Sequence, residues 1–372
     1  MSNSFRLGSL FGIPIFVHFT WLIIFALVTL SLVGMFAERF PTLPGGVQGG
    51  IGIIASLLFF ASVLFHEMAH SLLAIHRGQP VRAITLFVFG GVSEIEKEAV
   101  HPAAEILIAL IGPVSSYFLA LAFGAIWYLS HESMPVAGAV AGWLSTVNFA
   151  LGTFNLLPGL PLDGGRVMRG VIWRITGDQT RATRISGSFG RGLGYFFVLL
   201  GIWLVFQRKS LADGIWLVLI GFFLANAAEA SMIQMKMKQA FEGMRADQVM
   251  ATDCYFIPAG VSLTEFVDHF LLYTGRRCFI VGEAEMPRGI ITLSDVRAVP
   301  RHEWPHTPVQ AAMQPWDKVY SVSPGSSLED VVRLLDSHRI AQVAVMQDGR
   351  LLGIIEREQV LQLIRSHMEL AR

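Results

Sequence analysis

The sequence predicts an α-helical polytopic membrane protein with about six transmembrane helices, followed by a smaller soluble α/β module. Of the 372 residues, 53% are hydrophobic and only 15% are charged, which is more apolar than water-soluble domains are. Residues 1–239 hold 15 Lys and Arg against 11 Asp and Glu, whereas residues 240–372 hold 13 against 17. The apolar part is therefore net positive and the polar part net negative. Neither part has the basic excess of a nucleic-acid-binding protein, so we expect no nucleic-acid partner.

Six apolar stretches are long enough, or nearly so, to cross the ~30 Å hydrocarbon core of a bilayer. The first is too long for the apolar region of a cleaved signal peptide, and only Arg6 precedes it. The last two are close to the minimum length or below it. In chain order the predicted spans are Pro14–Phe36, Ile51–Ile75, Ala104–Leu129, Val140–Leu157, Leu193–Phe206 and Leu211–Ala228.

The segment Gln79–Val100, between the second and third spans, is predicted to be a short β-hairpin. Apolar and β-branched residues recur along it, and we expect the turn at Gly90-Gly91. The interpretation is a hairpin that dips into the membrane from the cytosol. The alternative is an amphipathic surface loop.

The second span contains the motif His66-Glu67-Met68-Ala69-His70. Ionisable groups at membrane depth are costly, so their presence indicates a functional site. Residues four apart share one helix face, so His66 and His70 can hold one Zn²⁺ while Glu67 lies beside it to polarise a water. The rise from His70 to Arg77, at ~1.5 Å per residue, places the pair about 10 Å below the cytoplasmic surface. The motif predicts a metalloprotease site inside the bilayer.

A third metal ligand is expected where the fourth span ends. Two prolines and three glycines interrupt the helix between Asn155 and Arg166, and Asp163 enters at this break. Broken backbone at membrane depth is tolerated where it lines a cavity or is buried by protein. Asp163 would complete a catalytic zinc site with an open fourth position. The alternative is that Asp163 caps a cytoplasmic helix.

Together these motifs resemble the site-2 protease family of intramembrane zinc metalloproteases, over residues 1–230. The resemblance implies Zn²⁺ bound by His66, His70 and Asp163, with Glu67 as general base, and hydrolysis of peptide bonds within transmembrane segments of membrane-protein substrates. It rests on His66-Glu67-x-x-His70, Leu162-Asp163-Gly164 after Asn155 and Pro158, Phe89-Gly90-Gly91, and Gly112-Pro113.

The same resemblance implies residues that contact substrate or stabilise the transition state. In the family an asparagine near the aspartate does this, and Asn155 matches its place, with Asn148 two turns earlier. The alternative for Asn148 is interhelical hydrogen bonding. Gly90 and Gly91 belong to the hairpin, whose edge could hold an extended substrate by strand addition. For Gly112-Pro113 we expect close helix packing or a kink.

The sequence after Phe241 contains a pattern duplicated at a spacing near 64 residues, each copy reading helix, strand, strand, helix. For example, Gly289-Ile290-Ile291-Thr292 recurs as Gly353-Ile354-Ile355-Glu356. The tail resembles a tandem pair of cystathionine-β-synthase-type (CBS) domains. We expect a linker helix at residues 231–243 and two domains at 244–305 and 306–372.

The CBS resemblance implies binding of an adenine nucleotide, ATP or AMP, and formation of a homodimer through the tail. Thr292 and Asp295 match the hydroxyl and carboxylate that contact phosphate and ribose in the family. The second repeat has Glu356 and Gln359 at these places, so we expect at most one ribose-type site. The alternative is a purely structural dimerisation module.

Lys and Arg in the connections predict the orientation of the spans. We expect a multi-pass cell-membrane protein with both termini and the CBS domains in the cytoplasm. Because the cytoplasm is reducing, Cys254 and Cys278 are expected to be free thiols. A CBS-regulated membrane transporter is the alternative function. One set of connections holds ten basic residues and the other three: Arg6, Arg77, Arg82, Lys97, Arg166, Arg169, Arg174, Arg181, Arg184 and Arg191 against Arg39, Arg208 and Lys209.

Overall fold

A computed structural model describes residues 4–95, 99, 101–207, 211–241, 243–252, 254–272, 278–283, 286–338 and 340–370. These form two compact units, Met1–Ile233 and Gln234–Arg372. Three residues used in the charge comparison, Lys97, Arg208 and Lys209, lie outside the described residues.

The first unit is built mainly from helices. Among the described residues, six helices are long and apolar enough to cross a membrane, which confirms the predicted fold class. They are α1, α2, α3, α4, α6 and, over Gly214–Met237, α7; α5 is a short amphipathic helix. The bounds are α1 Phe19–Arg39, α2 Gly45–His76, α3 Pro102–Ser130, α4 Pro135–Asn155, α5 Asp163–Thr176, α6 Gln179–Phe206 and α7 Leu211–Phe241.

Four of the predicted spans, the first, second, fourth and fifth, begin five or more residues away from the start of the corresponding helix, and the first and fifth differ for a clear physical reason. Residues Pro14–His18, assigned to the first span, belong instead to a strand, Ile13–His18, in which every second residue is buried, and α1 begins only at Phe19. An apolar run of β-branched residues has the same hydropathy in a strand as in a helix, so hydropathy placed the boundary incorrectly. The helix of the fifth predicted span, α6, begins at Gln179, well before Leu193, because small residues such as Ala182 and Ser186 let its polar first half pack in the interior.

A four-stranded sheet lies beside α2, with its strands in chain order: β1 Ser4–Leu10, β2 Ile13–His18, β3 Val81–Phe87 and β4 Gly90–Ile95. The pairs β1–β2 and β3–β4 are antiparallel, and β2–β3 is parallel. Ile13, Ile15 and Ile84 pack on Met68 of α2. The sheet is thereby fixed against the helix that carries the His-Glu motif.

The predicted hairpin is present as β3 and β4, but its turn is not at Gly90-Gly91. The turn residues are Val88 and Phe89, and Phe87 pairs with Gly90, so both glycines belong to β4. A two-residue turn suits a tight hairpin, and Gly90 follows it with a φ of +130° that side chains disfavour. Glycine is needed at position 91 of the strand because a Cβ there would clash with the Glu67 side chain.

A buried ion pair joins α3 to α5. Glu105, in the first turn of α3, is 1% exposed and pairs with Arg169 of α5. A carboxylate with so little access to water is costly unless a cation remains beside it. The pair therefore ties the orientation of α5, which begins at Asp163, to α3.

The second unit contains two α/β repeats, as predicted for a CBS pair. The sheets have the orders β5-β6-β7-β8 and β11-β10-β9. The elements are α8 Ala246–Val249, β5 Tyr255–Ile257, α9 Leu263–Glu265, β6 Cys278–Glu283, β7 Met286–Thr292, α10 Leu293–Ala298, α11 Val309–Ala312, β8 Gln314–Pro315, β9 Ser321–Val322, α12 Leu328–Ser337, β10 Gln342–Gln347, β11 Arg350–Glu356 and α13 Arg357–Leu370.

The lead-in helices of the two repeats are exchanged. Val249 of α8 is buried in the core formed by the second repeat, together with Leu328 and Ile355. Val309 of α11 is buried in the core formed by the first repeat, beside Phe279. Each core therefore takes residues from both sides of the division expected at 305/306, so neither repeat would keep its core alone.

The Glu105–Arg169 ion pair is expected to stabilise the packing of α5 on α3. Arg169→Leu leaves the Glu105 carboxylate buried and uncompensated, so we expect a loss of about 3–5 kcal/mol in stability. The loss would be measured as a lowered thermal midpoint of the purified chain in detergent. Adding Glu105→Gln to Arg169→Leu should restore most of it. An unchanged midpoint for Arg169→Leu would contradict the structural role of the pair.

Candidate metal centre and active site

Three side-chain atoms from two distant segments converge inside the first unit. His66 Nε2 and His70 Nε2 lie 3.1 and 3.2 Å from Asp163 Oδ2, and 3.2 Å from each other. The two histidines are 3% exposed and Asp163 is 8% exposed. The structure thus brings together the three residues that the sequence predicts as metal ligands.

Hydrogen bonds from α3 orient both imidazole rings. His70 Nδ1 is 2.6 Å from the Ile108 carbonyl oxygen, which can only accept, so this nitrogen carries the proton. The Nε2 of neutral His70 therefore presents a lone pair to the convergence point. His66 Nδ1 lies 2.9 Å from Ser116 Oγ, which holds the second ring in the same way. Such partners are typical of metal-binding histidines.

Gly112 of α3 leaves the space that an ion would occupy. A Cβ added there would lie 2.2 Å from His70 Nε2 and 2.7 Å from His66 Nε2, so any side chain would enter the centre of the ligand set. Gly112-Pro113 was expected to serve helix packing or a kink. The close approach places this glycine in the wall of the candidate metal site.

The donor set fits Zn²⁺. Ligands about 2.0–2.1 Å from a tetrahedral ion are separated from each other by roughly 3.3 Å, close to the three distances between these atoms. Two imidazole nitrogens and a carboxylate oxygen are donors that zinc accepts, and three protein ligands leave one position open. In the described residues, this is the group of three or more His, Cys, Asp or Glu that could hold a metal ion.

Close backbone contacts place Asp163 at the site. Asp163 is the first residue of α5, and the loop before it folds back on the start of this helix. A Cβ on Gly164 would lie 2.1 Å from the Leu156 carbonyl oxygen, and one on Gly165 would lie 2.1 Å from the Gly159 carbonyl carbon. The two glycines after the aspartate are therefore required for this approach, a role beyond the helix break that the sequence predicted.

The Glu67 side chain faces the four-stranded sheet, whereas the two histidines face α3. Its Oε2 accepts a hydrogen bond from Ser93 Oγ of β4 at 2.8 Å. A Cβ on Gly91 would lie 2.5 Å from Glu67 Cγ, so β4 packs directly on this side chain. Gly91 and Ser93 therefore join the predicted substrate-binding strand to the predicted general base. The sequence motifs did not indicate Ser93.

The two asparagines occupy different environments on α4. Asn148 is 1% exposed, and its Nδ2 donates to Ser62 Oγ of α2 at 3.2 Å and to the Leu144 carbonyl. Within the part of the chain that the structure describes, its Oδ1 is buried and has no hydrogen-bond partner. Asn155 ends α4, is half-buried, and donates to the Leu151 carbonyl at 3.0 Å.

The predicted nucleotide contacts also differ between the CBS repeats. Thr292 caps α10, and Asp295 Oδ2 accepts from the Thr292 hydroxyl at 2.7 Å, so the two side chains lie together at the helix start. In the second repeat, Gln359 Nε2 donates to the Val249 carbonyl at 2.9 Å.

Cys254 is a free thiol whose pKa is raised by burial and, secondarily, by the charge of Glu356. The side chain of Cys278 lies outside the described residues.

A membrane-spanning helical fold with a buried His, His, Asp set and an adjacent glutamate defines the class of membrane zinc metalloproteases. Residues 54–137 and 133–200 match Peptidase family M50, and residues 309–366 match the CBS domain family. The chain belongs to Peptidase family M50, the site-2 protease family, and is a multi-pass membrane metalloendopeptidase. This membership sets aside the transporter alternative.

Similar proteins cover nearly the whole chain. A Synechocystis protein named as zinc metalloprotease sll0528 is 35% identical over 98% of this chain and 97% of its own length. Zinc metalloprotease Rip3 of Mycobacterium tuberculosis is 31% identical over 98% of this chain and 93% of its own. A solved site-2 protease from Methanocaldococcus jannaschii is 28% identical, covering 62% of this chain and 95% of that chain, with a TM-score of 0.46.

Gly112 allows a direct test of the metal site. Because the Cβ of Gly112→Ala would fall among the ligand nitrogens, we expect zinc to bind at least ~10-fold more weakly. Zinc content after dialysis against a chelator, measured by mass spectrometry, checks this. Gly34→Ala on α1 is the control, since a Cβ there meets nothing within 4 Å and zinc should be retained. Full zinc retention by Gly112→Ala would contradict the assigned position.

Proposed function

We propose that this protein cleaves peptide bonds within or next to transmembrane segments of other membrane proteins, in regulated intramembrane proteolysis. In this proposal His66, His70 and Asp163 bind the zinc ion and Glu67 is the general base. The observation that carries it is the convergence of the three ligand atoms within 3.2 Å inside an apolar helix bundle.

The residues divide the chemistry between them. A Zn²⁺ ion at the site would supply Lewis acidity toward the scissile carbonyl and the attacking water. Glu67 takes a proton from that water and returns it to the leaving amine. His70 and His66 are held in place from α3 by the Ile108 carbonyl and Ser116, so the ligand geometry is present before substrate binds.

The substrate is proposed to bind as an extended segment along β4. A transmembrane helix shields its own amides, so it must unwind before hydrolysis. Among the described residues β4 is the last strand of its sheet, and its Gly91 lies against Glu67. Strand addition at this edge, beginning at Gly90 and Gly91, would bring the substrate backbone beside the base.

The two asparagines of α4 are proposed to have different roles, Asn155 in binding substrate and Asn148 mainly in joining α4 to α2. Asn155, eight residues before Asp163, is the better candidate for binding the substrate carbonyl because it lies at the end of α4 where the loop begins. Asn148 joins α4 to α2 through Ser62, one turn before His66. Its buried Oδ1, which has no partner among the described residues, could accept a hydrogen bond from a substrate amide, although the bond to Ser62 favours an interhelical role.

The cytoplasmic orientation of both termini and the CBS unit is part of the proposal. Its support is the ten-to-three distribution of Lys and Arg among the connections. Arg166 and Arg174 on the amphipathic α5 contribute to this excess at the end of the bundle that carries the metal-site loop. The active site would then open toward the cytosol.

We propose that the CBS unit regulates the protease through an adenine nucleotide and forms a homodimer. Thr292 and Asp295 retain the hydroxyl and carboxylate that this requires, whereas Gln359 lacks the carboxylate and is bonded to Val249. Exposed apolar side chains on the first repeat, with Leu272 at 72% and Met286 at 74%, suit a protein contact. A nucleotide can regulate only by binding two states of the protein with different affinity.

The proteolytic function is tested by comparing membrane proteomes. Glu67→Gln removes the general base and should lower cleavage by ~10²–10⁴-fold, so uncut membrane-protein precursors should accumulate in cells carrying it. Its zinc content should equal that of the unmodified chain, whereas Asp163→Ala should lose both zinc and cleavage. Glu132→Gln, whose side chain is 90% exposed, is the control and should show no accumulation. An identical precursor profile in Glu67→Gln and unmodified cells would refute the proposal.

Nucleotide binding is tested by calorimetry of the full chain in detergent with ATP and AMP. We expect at most one nucleotide per chain, bound at the first repeat because its carboxylate can accept from ribose hydroxyls. Asp295→Ala should abolish the binding heat, while Gln359→Ala should leave it unchanged. Two equivalents per chain, or no heat with either nucleotide, would contradict the assignment.

A further inference from the structure

The structure assigns Ser93 of β4 as the positioning residue for the general base, an inference that rests on the proposed role of Glu67. Ser93 Oγ is 2.8 Å from Glu67 Oε2 and 3.2 Å from the Glu67 carbonyl oxygen. A hydroxyl has one proton, and the shorter contact directs it to the carboxylate. The sequence motifs do not include this serine, which lies 26 residues after Glu67.

A second hydroxyl orients the first. Ser71 of α2, which is fully buried, donates to Ser93 Oγ at 3.1 Å. Ser71 lies one turn after Glu67 on the same helix, so the bonds run from α2 to β4 and back to α2. This arrangement uses the Ser71 proton on Ser93 and leaves the Ser93 proton for Glu67 Oε2. Buried polar groups that satisfy one another in this way hold a defined geometry.

The backbone of the same strand also packs against the Glu67 side chain. Gly91 and Ser93 are two residues apart on a strand and therefore share one face. A Cβ on Gly91 would lie 2.5 Å from Glu67 Cγ, so the glycine lets the side chain lie flat against β4 while Ser93 binds its end. With Oε2 held by Ser93, Oε1 would be the oxygen that accepts the proton of the attacking water.

This contact links substrate binding to the base. β4 is the strand whose outer edge is proposed to pair with the substrate, and Ser93 belongs to the same strand. A substrate segment that aligns β4 therefore also aligns Glu67 Oε1 for proton transfer. Ser93 acts on the chemical step through Glu67 and makes no contribution to zinc binding.

The kinetic test compares variants of the purified full chain on a single-span membrane protein in detergent. Ser93→Ala should lower kcat about 10-fold, the typical effect of losing a hydrogen bond to a charged group, with KM within about 2-fold and zinc content unchanged. Ser93→Thr keeps the hydroxyl on a β-branched residue and should restore kcat. Ser130→Ala, which removes a hydroxyl bonded within α3 to Ile126, is the matched control and should leave kcat unchanged.

A spectroscopic test needs no substrate. The infrared difference between the unmodified chain and Glu67→Gln isolates the Glu67 carboxylate stretch, and the same difference in a Ser93→Ala background should show that band shifted by loss of the hydrogen bond. An unshifted band, or an unchanged kcat for Ser93→Ala, would overturn the assignment of Ser93. If Glu67→Gln itself cleaved at the full rate, the proposed function would fail instead, so the two failures are distinguishable.

Discussion

Three lone pairs directed at one point inside an apolar bundle are the constraint on which the rest of the first unit depends. Two imidazole nitrogens and a carboxylate oxygen about 3.2 Å apart are buried from solvent, and a cation at their centre would relieve the repulsion between their lone pairs. The surrounding structure serves to hold them there. Ile108 and Ser116 set the rings, Gly112 leaves the centre open, and the ion pair between α3 and α5 fixes the helix that begins at Asp163.

The helix α2 carries two different surfaces within a single turn, and this division explains the arrangement of the fold around it. His66 and His70 face α3, whereas Glu67, Met68 and Ser71 face the sheet. Because the histidines and the glutamate are supported by different elements, the proposed metal ligands would stay fixed while the proposed base responds to a substrate bound along β4. In the proposed function, the small sheet beside the helical bundle is therefore a component of the active site.

The sequence allowed prediction of the features that depend on local periodicity. The four-residue spacing of His66 and His70 implies one helix face, and the Pro/Gly interruption implies a break at Asp163, whatever the remaining fold. Features that depend on contacts between distant residues could not be predicted in this way. Pro14–His18 was assigned to a transmembrane helix because an apolar run has the same hydropathy in either structure, and its pairing with β1 and β3 makes it part of a strand. Three other features depend in the same way on which distant segments meet, and could not be predicted from local sequence. They are the position of Gly112 in the candidate metal site, the contact of Ser93 with Glu67, and the exchanged lead-in helices of the CBS repeats.

X-ray absorption spectroscopy at the zinc edge of the purified full chain tests the central claim most directly, because it reports the metal and its donor atoms together. We expect stoichiometric zinc with nitrogen and oxygen ligands at about 2.0–2.1 Å, including the signature of two imidazoles, and a loss of metal in His66→Ala. A chain that retains no zinc, or a spectrum with sulfur ligands at about 2.3 Å, would contradict the assignment of His66, His70 and Asp163 as the metal site.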